Sequence, residues 1–136
     1  MIQRVQTLWM ILAALAVFLT IKFSFYSYPL AVSDVYQTIA ATDNFLLLIL
    51  TSALGTGIVI NIFLFKHRSI QFRILVIALF WEFLILYIYY REMSKFPTGN
   101  LNIGSVLHLL VIIFIIFAAK GVYNDSKLIK ESNRLR

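Results

Sequence analysis

The chain has 136 residues, a net charge of +6 and only 13% charged residues, whereas about 25% of the residues of a typical soluble protein are charged. Its mean hydropathy is +0.88, and a core of this size could not bury so much apolar surface, so the composition predicts a membrane protein. The absence of cysteine excludes disulfides, thiol catalysis and thiolate metal sites within the chain. The basic residues lie beside apolar segments, which is typical of topology signals and argues against nucleic acid as a partner.

Four apolar segments are long enough to cross a bilayer, which takes about 20 helical residues because the hydrocarbon core is about 30 Å thick. These segments are residues 5–25, 44–65, 72–90 and 101–119. The whole chain, residues 1–136, is therefore predicted to form a single transmembrane domain, with residues 120–136 as a basic cytoplasmic tail.

The positions of lysine and arginine predict the orientation of these spans. The side that carries both termini and the connection around residues 66–73 holds nine of the twelve lysines and arginines, and the other side holds Lys22, Arg91 and Lys95. By the positive-inside rule, both termini are predicted to be cytoplasmic.

Short connections predict an all-α fold, an up-down bundle of four transmembrane helices, because short links place consecutive helices antiparallel. The third and fourth spans are joined by a loop containing Pro97, Gly99 and Asn100, which are typical turn residues. The first outer loop, residues 26–43, is longer and needs a separate interpretation.

In that loop, Ser33 is placed to cap a short interfacial helix. One side of this helix would consist of Val35, Tyr36, Ile39 and Ala40. Asp43 precedes the second span and is predicted to be its N-cap.

One carboxylate, Glu82, lies inside the third span in the apolar stretch LFWEFLIL. It is about ten residues from the start of the span, hence about 15 Å deep and near the middle of the bilayer. A carboxylate there costs about 2.5–3.5 kcal/mol on insertion scales, so it should face protein or water rather than lipid. His108 lies about 10 Å below the outer end of the fourth span, at nearly the same level, and is the candidate partner.

Two interpretations of this intramembrane polar pair remain open. In the structural interpretation, the pair is an interhelical hydrogen bond that fixes the register of two helices and contributes at most about 1–2 kcal/mol. In the functional interpretation, it is a proton relay or a substrate site, since ionisable residues inside membranes mark ion and proton pathways.

The second span carries small and hydroxyl-bearing residues that are interpreted as a helix-packing face. They are Thr51, Ser52, Gly55, Thr56 and Gly57. Small residues spaced by four positions let helix backbones approach closely. Asn61 is a further hydrogen-bonding group, nearer the cytoplasmic side.

The sequence contains no metalloprotease, serine hydrolase or phosphate-loop motif and no carboxylate cluster for a divalent metal. A constellation of nucleophile, base and oxyanion donors is not visible either. We therefore expect no metal, no cofactor and no enzymatic activity.

The segments MIQRVQTLW at residues 1–9 and KLIKESNRLR at residues 127–136, together with four spans in one short chain, resemble a family of small four-helix membrane proteins of the Bacteroidota. That family is classified as a domain of unknown function, and the resemblance extends over essentially the whole chain. It implies a bacterial inner-membrane protein and implies no catalytic residues.

We expect a non-enzymatic integral membrane protein that acts as an accessory or scaffold subunit. Its partners would be the lipid bilayer and either further copies of itself or other membrane proteins. The alternative is a small oligomeric proton-coupled transporter or channel that uses Glu82 and His108. Four-helix multidrug exporters of similar size have a membrane glutamate, but in their first span rather than their third, so this analogy concerns size more than site.

Overall fold

The computed structural model describes residues 2–30 and 33–134, with side chains over residues 5–30 and 35–134. Most of this part of the chain lies in four α-helices. They are α1 (Ile2–Lys22), α2 (Phe45–Phe63), α3 (Arg68–Met93) and α4 (Ile103–Arg134). Each of the four is long and apolar enough to cross a membrane.

The helices pack as a closed ring in which α1 contacts α2, α2 contacts α3, α3 contacts α4, and α4 returns to α1. Short connections, residues 64–67 between α2 and α3 and residues 94–102 between α3 and α4, keep consecutive helices adjacent. One end of the bundle holds the start of α1, the α2–α3 connection and the end of α4, and is called the basic end below. The opposite end is called the sheet end.

Helix α4 is longer than the predicted span of residues 101–119, because it continues to Arg134 through most of the predicted tail. Its 32 residues extend about 48 Å, more than the roughly 30 Å of a hydrocarbon core. The helix is therefore longer than one crossing requires, and its last turns carry basic residues. Helix α3 also exceeds its predicted span of residues 72–90 at both ends.

A small antiparallel sheet lies at the sheet end of the described structure. Its strands are β1 (Tyr26–Leu30), β2 (Ser33–Ile39) and β3 (Asn100–Leu101), in the order β2-β1-β3. The Tyr26 hydroxyl donates to the Phe96 carbonyl at 2.8 Å and accepts from the Gly99 amide at 2.7 Å. These bonds attach the first outer loop to the α3–α4 connection.

The interfacial helix predicted in the first outer loop is therefore wrong. Ser33 begins β2 instead of capping a helix. Of the predicted apolar side, Val35, Tyr36 and Ile39 lie in the strand and Ala40 follows it. The β-branched and aromatic residues of this segment favour a pleated strand when a partner edge is present. That edge is β1, whose own second partner, β3, is some 70 residues further along the chain.

The predicted N-cap of α2 is also wrong by one position. Asn44 occupies the cap, and its side-chain oxygen accepts a hydrogen bond from the Leu46 amide at 3.0 Å. The Asp43 carboxylate instead accepts from the Ala40 amide at 2.7 Å and closes a short 3₁₀ turn, Ala41–Asp43. Asparagine and aspartate are comparable caps, so composition did not distinguish the two.

The outer surface of the bundle is unusually apolar, although its core also contains many apolar side chains. Large apolar side chains face outward, with Phe45 77% and Phe63 73% exposed. Polar and ionisable side chains are instead buried between helices, among them Gln6, Thr51, Asn61, Gln71, Glu82 and His108. This distribution is expected where hydrocarbon surrounds the protein, because buried polar groups can then find partners in the bundle.

Candidate functional site

Glu82 and His108, the two ionisable residues that the sequence places deep in the spans, contact each other. His108 Nδ1 lies 2.6 Å from Glu82 Oε1, and each residue is only 1% exposed. Such a short separation is typical of a charge-assisted hydrogen bond. The contact joins α3 to α4.

Helical periodicity brings both side chains to this interface. Glu82 shares a buried face of α3 with Ala78, four residues before it, and His108 shares a buried face of α4 with Gly104. Ala78 and Gly104 are small, which lets the neighbouring elements come close. Gly104 also donates its amide to the Ser24 carbonyl at 3.0 Å, so the first turn of α4 rests on the backbone that follows α1.

Two aromatic rings enclose the His108 side of the pair. Phe25 and Tyr89 stack with ring centroids 4.3 Å apart and planes inclined by 12°. The imidazole meets both rings edge-on, 5.6 Å from Phe25 and 5.2 Å from Tyr89. The Phe25 amide donates to the Ile39 carbonyl at 2.8 Å, so the sheet, α3 and α4 all converge on the pair.

The surroundings of the pair limit its chemistry. His108 Nε2 and the Tyr89 hydroxyl are buried and make no hydrogen bond to any described residue. Five cavities among the described residues are lined by other side chains and do not include Glu82 or His108. The pair can exist as an ion pair or as a neutral hydrogen bond, and in both forms Nδ1 and Oε1 satisfy each other while Nε2 remains without a partner among the described residues. This arrangement restrains α3 against α4.

The predicted packing face of α2 is divided between the interior and the surface of the bundle. Thr51 and Gly55 are buried, and a Cβ at Gly55 would lie 2.9 Å from the ring of Phe18 on α1. Ser52 and Thr56 lie further out and donate to carbonyls of their own helix. Gly57 borders open space. Thr51 and Gly55 thus serve packing inside the chain, and the other three lie where another molecule can reach.

A second buried polar cluster, near the basic end, escaped the sequence interpretation except for Asn61. The Asn61 side chain donates to the Gln71 carbonyl and the Gln71 side chain donates to the Asn61 carbonyl, each at 3.2 Å. Gln71 also approaches the sulfur of Met10 at 3.6 Å. Gln6 donates to the Gly121 carbonyl at 2.7 Å and joins α1 to α4. The sequence signal for this cluster was one uncharged polar residue near the same end of each of three apolar helices.

No metal centre is evident in the described part of the chain, where no three His, Asp or Glu side chains lie close enough together to hold an ion. His67, which the sequence places beside Lys66, is exposed at the start of α3.

Comparison with known protein families gives a match for this chain. A family model described as a domain of unknown function matches residues 2–135, nearly the whole chain. The chain belongs to that family, DUF4293. No curated protein and no solved structure matches it.

Membership in DUF4293 agrees with the resemblance seen in the terminal segments at the level of a domain of unknown function that covers the chain. The family description names no activity, so it assigns no role to Glu82 or His108. The interpretation of the pair therefore depends on the contacts, burial and packing described above.

Proposed function

We propose that this protein is an integral inner-membrane protein of a bacterium, crossing the bilayer four times with both termini on the cytoplasmic side. Four long apolar helices and a surface of large apolar side chains support the membrane placement. The concentration of lysine and arginine at the basic end supports the orientation. The resemblance to small membrane proteins of the Bacteroidota supports the bacterial assignment.

Within that membrane, the protein acts as a non-enzymatic accessory or scaffold subunit through contacts with other membrane proteins or with further copies of itself. The observation that carries this proposal is the buried contact between Glu82 and His108. The most reactive groups of the spans hold α3 against α4 and do not line any of the five cavities described above. An internal structure fixed in this way leaves the outer surfaces for function.

The alternative is a small oligomeric proton-coupled transporter or channel that uses the same pair. One observation favours it: His108 Nε2 and the Tyr89 hydroxyl are buried near each other and have no hydrogen-bond partner among the described residues. A proton relay needs a further group that can take up the proton after it has passed between Glu82 and His108. In the alternative, the His108 Nε2 atom and the Tyr89 hydroxyl would carry the proton onward.

Replacement of Glu82 by glutamine separates the two proposals. Glutamine keeps the shape and hydrogen-bonding capacity of the side chain but does not titrate. For a scaffold, Glu82→Gln should change the free energy of unfolding in micelles by no more than about 1 kcal/mol. Liposomes containing either the wild type or this variant should then hold an imposed pH gradient as well as empty liposomes do.

Glu92→Gln is the matched control, because Glu92 lies on the same helix but pairs with Lys95 at 2.8 Å outside the buried core. Suppose the wild type and Glu92→Gln both dissipate the pH gradient while Glu82→Gln folds normally and does not. That result would overturn the scaffold proposal in favour of the transporter.

A further inference from the structure

We propose that the basic end carries a binding site for the phosphate group of an anionic phospholipid, between the start of α3 and the projecting end of α4. The proposal rests on the membrane placement given above and is independent of the scaffold role. Its centre is a cavity of about 510 Å³, called the headgroup pocket below. Three cationic side chains line it, Lys66, Arg68 and Lys130.

The charge of the headgroup pocket suits an anion. The Arg68 guanidinium forms an ion pair with the Asp125 carboxylate, which links α3 to α4 and holds the guanidinium in place. A guanidinium has five N–H donors and a carboxylate uses at most two of them in a fork, so donors remain for a phosphate. Lys66 and Lys130 are exposed and carry no carboxylate partner among the described residues, so the pocket keeps a net positive charge.

The backbone and nearby hydroxyl groups add to this preference. Helix α3 has 26 residues, and its N-cap residue, His67, makes no side-chain hydrogen bond to the first turn. The first turn of a helix carries a partial positive charge and free N–H groups, both of which attract phosphate. Ser69 and Ser126 also line the pocket and offer hydroxyl groups.

A second cavity explains why the occupant should be a lipid rather than free phosphate. This cavity has a volume of about 460 Å³ and shares Arg68 with the headgroup pocket. Its other walls are largely apolar and include Leu8, Ile11 and Phe63, from α1 and the end of α2. A phosphate ion gains nothing from apolar walls, whereas a phospholipid presents a phosphate and hydrocarbon side by side. Basic pockets between spans on the cytoplasmic side bind anionic headgroups for the same reason.

The test measures the binding of phosphatidylglycerol to the full-length protein in phosphatidylcholine nanodiscs, by tryptophan energy transfer to a headgroup-labelled lipid. The test variant is Lys66→Gln with Lys130→Gln, two exposed residues of the headgroup pocket. The control is Arg73→Gln with Lys120→Gln, which removes the same charge from exposed residues that do not line it. Because each lysine near a membrane contributes about 1 kcal/mol, the test variant should bind about thirtyfold more weakly than the wild type. The control should lose less than about threefold.

Each other outcome overturns the proposal. Equal losses in the two variants would show diffuse attraction by surface charge, and unchanged binding in the test variant would show that the pocket is not used. Inorganic phosphate is added to the same assay as a competitor. If it displaces the labelled lipid at concentrations that do not change the small loss of binding in the control variant, and if it binds as tightly as the lipid does, the site takes free phosphate. Failure of the protein to enter nanodiscs at all would refute the membrane placement instead, so the two failures are distinguishable.

Discussion

The two ends of the bundle are built from the same four helices but are packed in different ways. At the sheet end, Gly104 lies against backbone and Phe25 stacks on Tyr89. A cavity of about 540 Å³ lies against the sheet there, and two carboxylates, Asp43 and Glu92, line it. At the basic end, cavities of about 460 and 510 Å³ adjoin the start of α3. Both ends therefore have cavities, but carboxylates line the large cavity at the sheet end and cationic side chains line those at the basic end, so the basic end is the one suited to an anion.

The buried polar contacts of the two ends also differ in the groups that they join. The Glu82–His108 contact joins two side chains, so removing one partner leaves the other buried and unsatisfied. The Asn61–Gln71 contacts join each side chain to a backbone carbonyl of the other residue. A carbonyl in or near a helix usually has a second donor, so losing one side chain there should cost less. Three substitutions test this contrast.

The largest effect is expected for Glu82→Leu. The substitution leaves His108 Nδ1 buried without a hydrogen-bond partner, and it should lower the free energy of unfolding in mixed micelles by about 2–3 kcal/mol. Adding His108→Leu should restore part of the loss, because two apolar partners leave no unsatisfied group. Strictly additive losses in the double variant would mean that the two residues are not energetically coupled.

The next largest effect is expected for Gly104→Ala at the sheet end. The new Cβ would lie 2.5 Å from the Ser24 carbonyl oxygen and 2.8 Å from that of Phe23, and backbone cannot yield as a flexible side chain can. Overpacking of this kind should cost about 2 kcal/mol of unfolding free energy, measured in the same micelles.

Gly57→Ala is the matched control for that substitution, since a Cβ there meets nothing within 4 Å. Alanine is favoured over glycine inside a helix by about 0.5–1 kcal/mol, so this variant should be neutral or slightly more stable. Equal losses at Gly104 and Gly57 would remove the evidence that the sheet end is closely packed.

The helices and the polar pair could be predicted from the sequence because span length and the depth of a residue follow from counting residues along each helix. An apolar run of about 20 residues has few alternatives to a span, and a rise of 1.5 Å per residue places Glu82 and His108 at similar depths. The same counting could not reveal that Phe25 and Tyr89 stack beside His108. Those rings come from separate elements and meet only once the sheet is formed.

The sheet and the Arg68–Asp125 ion pair were missed because they join distant parts of the chain. The strand Tyr26–Leu30 needs Asn100–Leu101 as a partner, and no local window contains both segments. Arg68 was counted only as an orientation signal, and Asp125 was assigned to a solvated tail. Continuation of α4 to Arg134 makes their contact possible. Gly121 lies two residues after the predicted end at residue 119, and glycine commonly follows the last turn of a helix, so the sequence favoured an earlier end.

The smallest effect is expected for Gln71→Leu at the basic end. The substitution removes the hydrogen bond from the Gln71 side chain to the Asn61 carbonyl, but that carbonyl keeps a second donor, the Leu64 amide at 3.1 Å. The bond from the Asn61 side chain ends on the Gln71 backbone and is retained. Because the substitution leaves no additional group unsatisfied, the loss of unfolding free energy in micelles should be about 1 kcal/mol or less. A loss as large as that of Glu82→Leu would show that the polar contacts of the basic end stabilise the bundle as much as the Glu82–His108 contact does. The contrast between the polar contacts of the two ends would then be wrong.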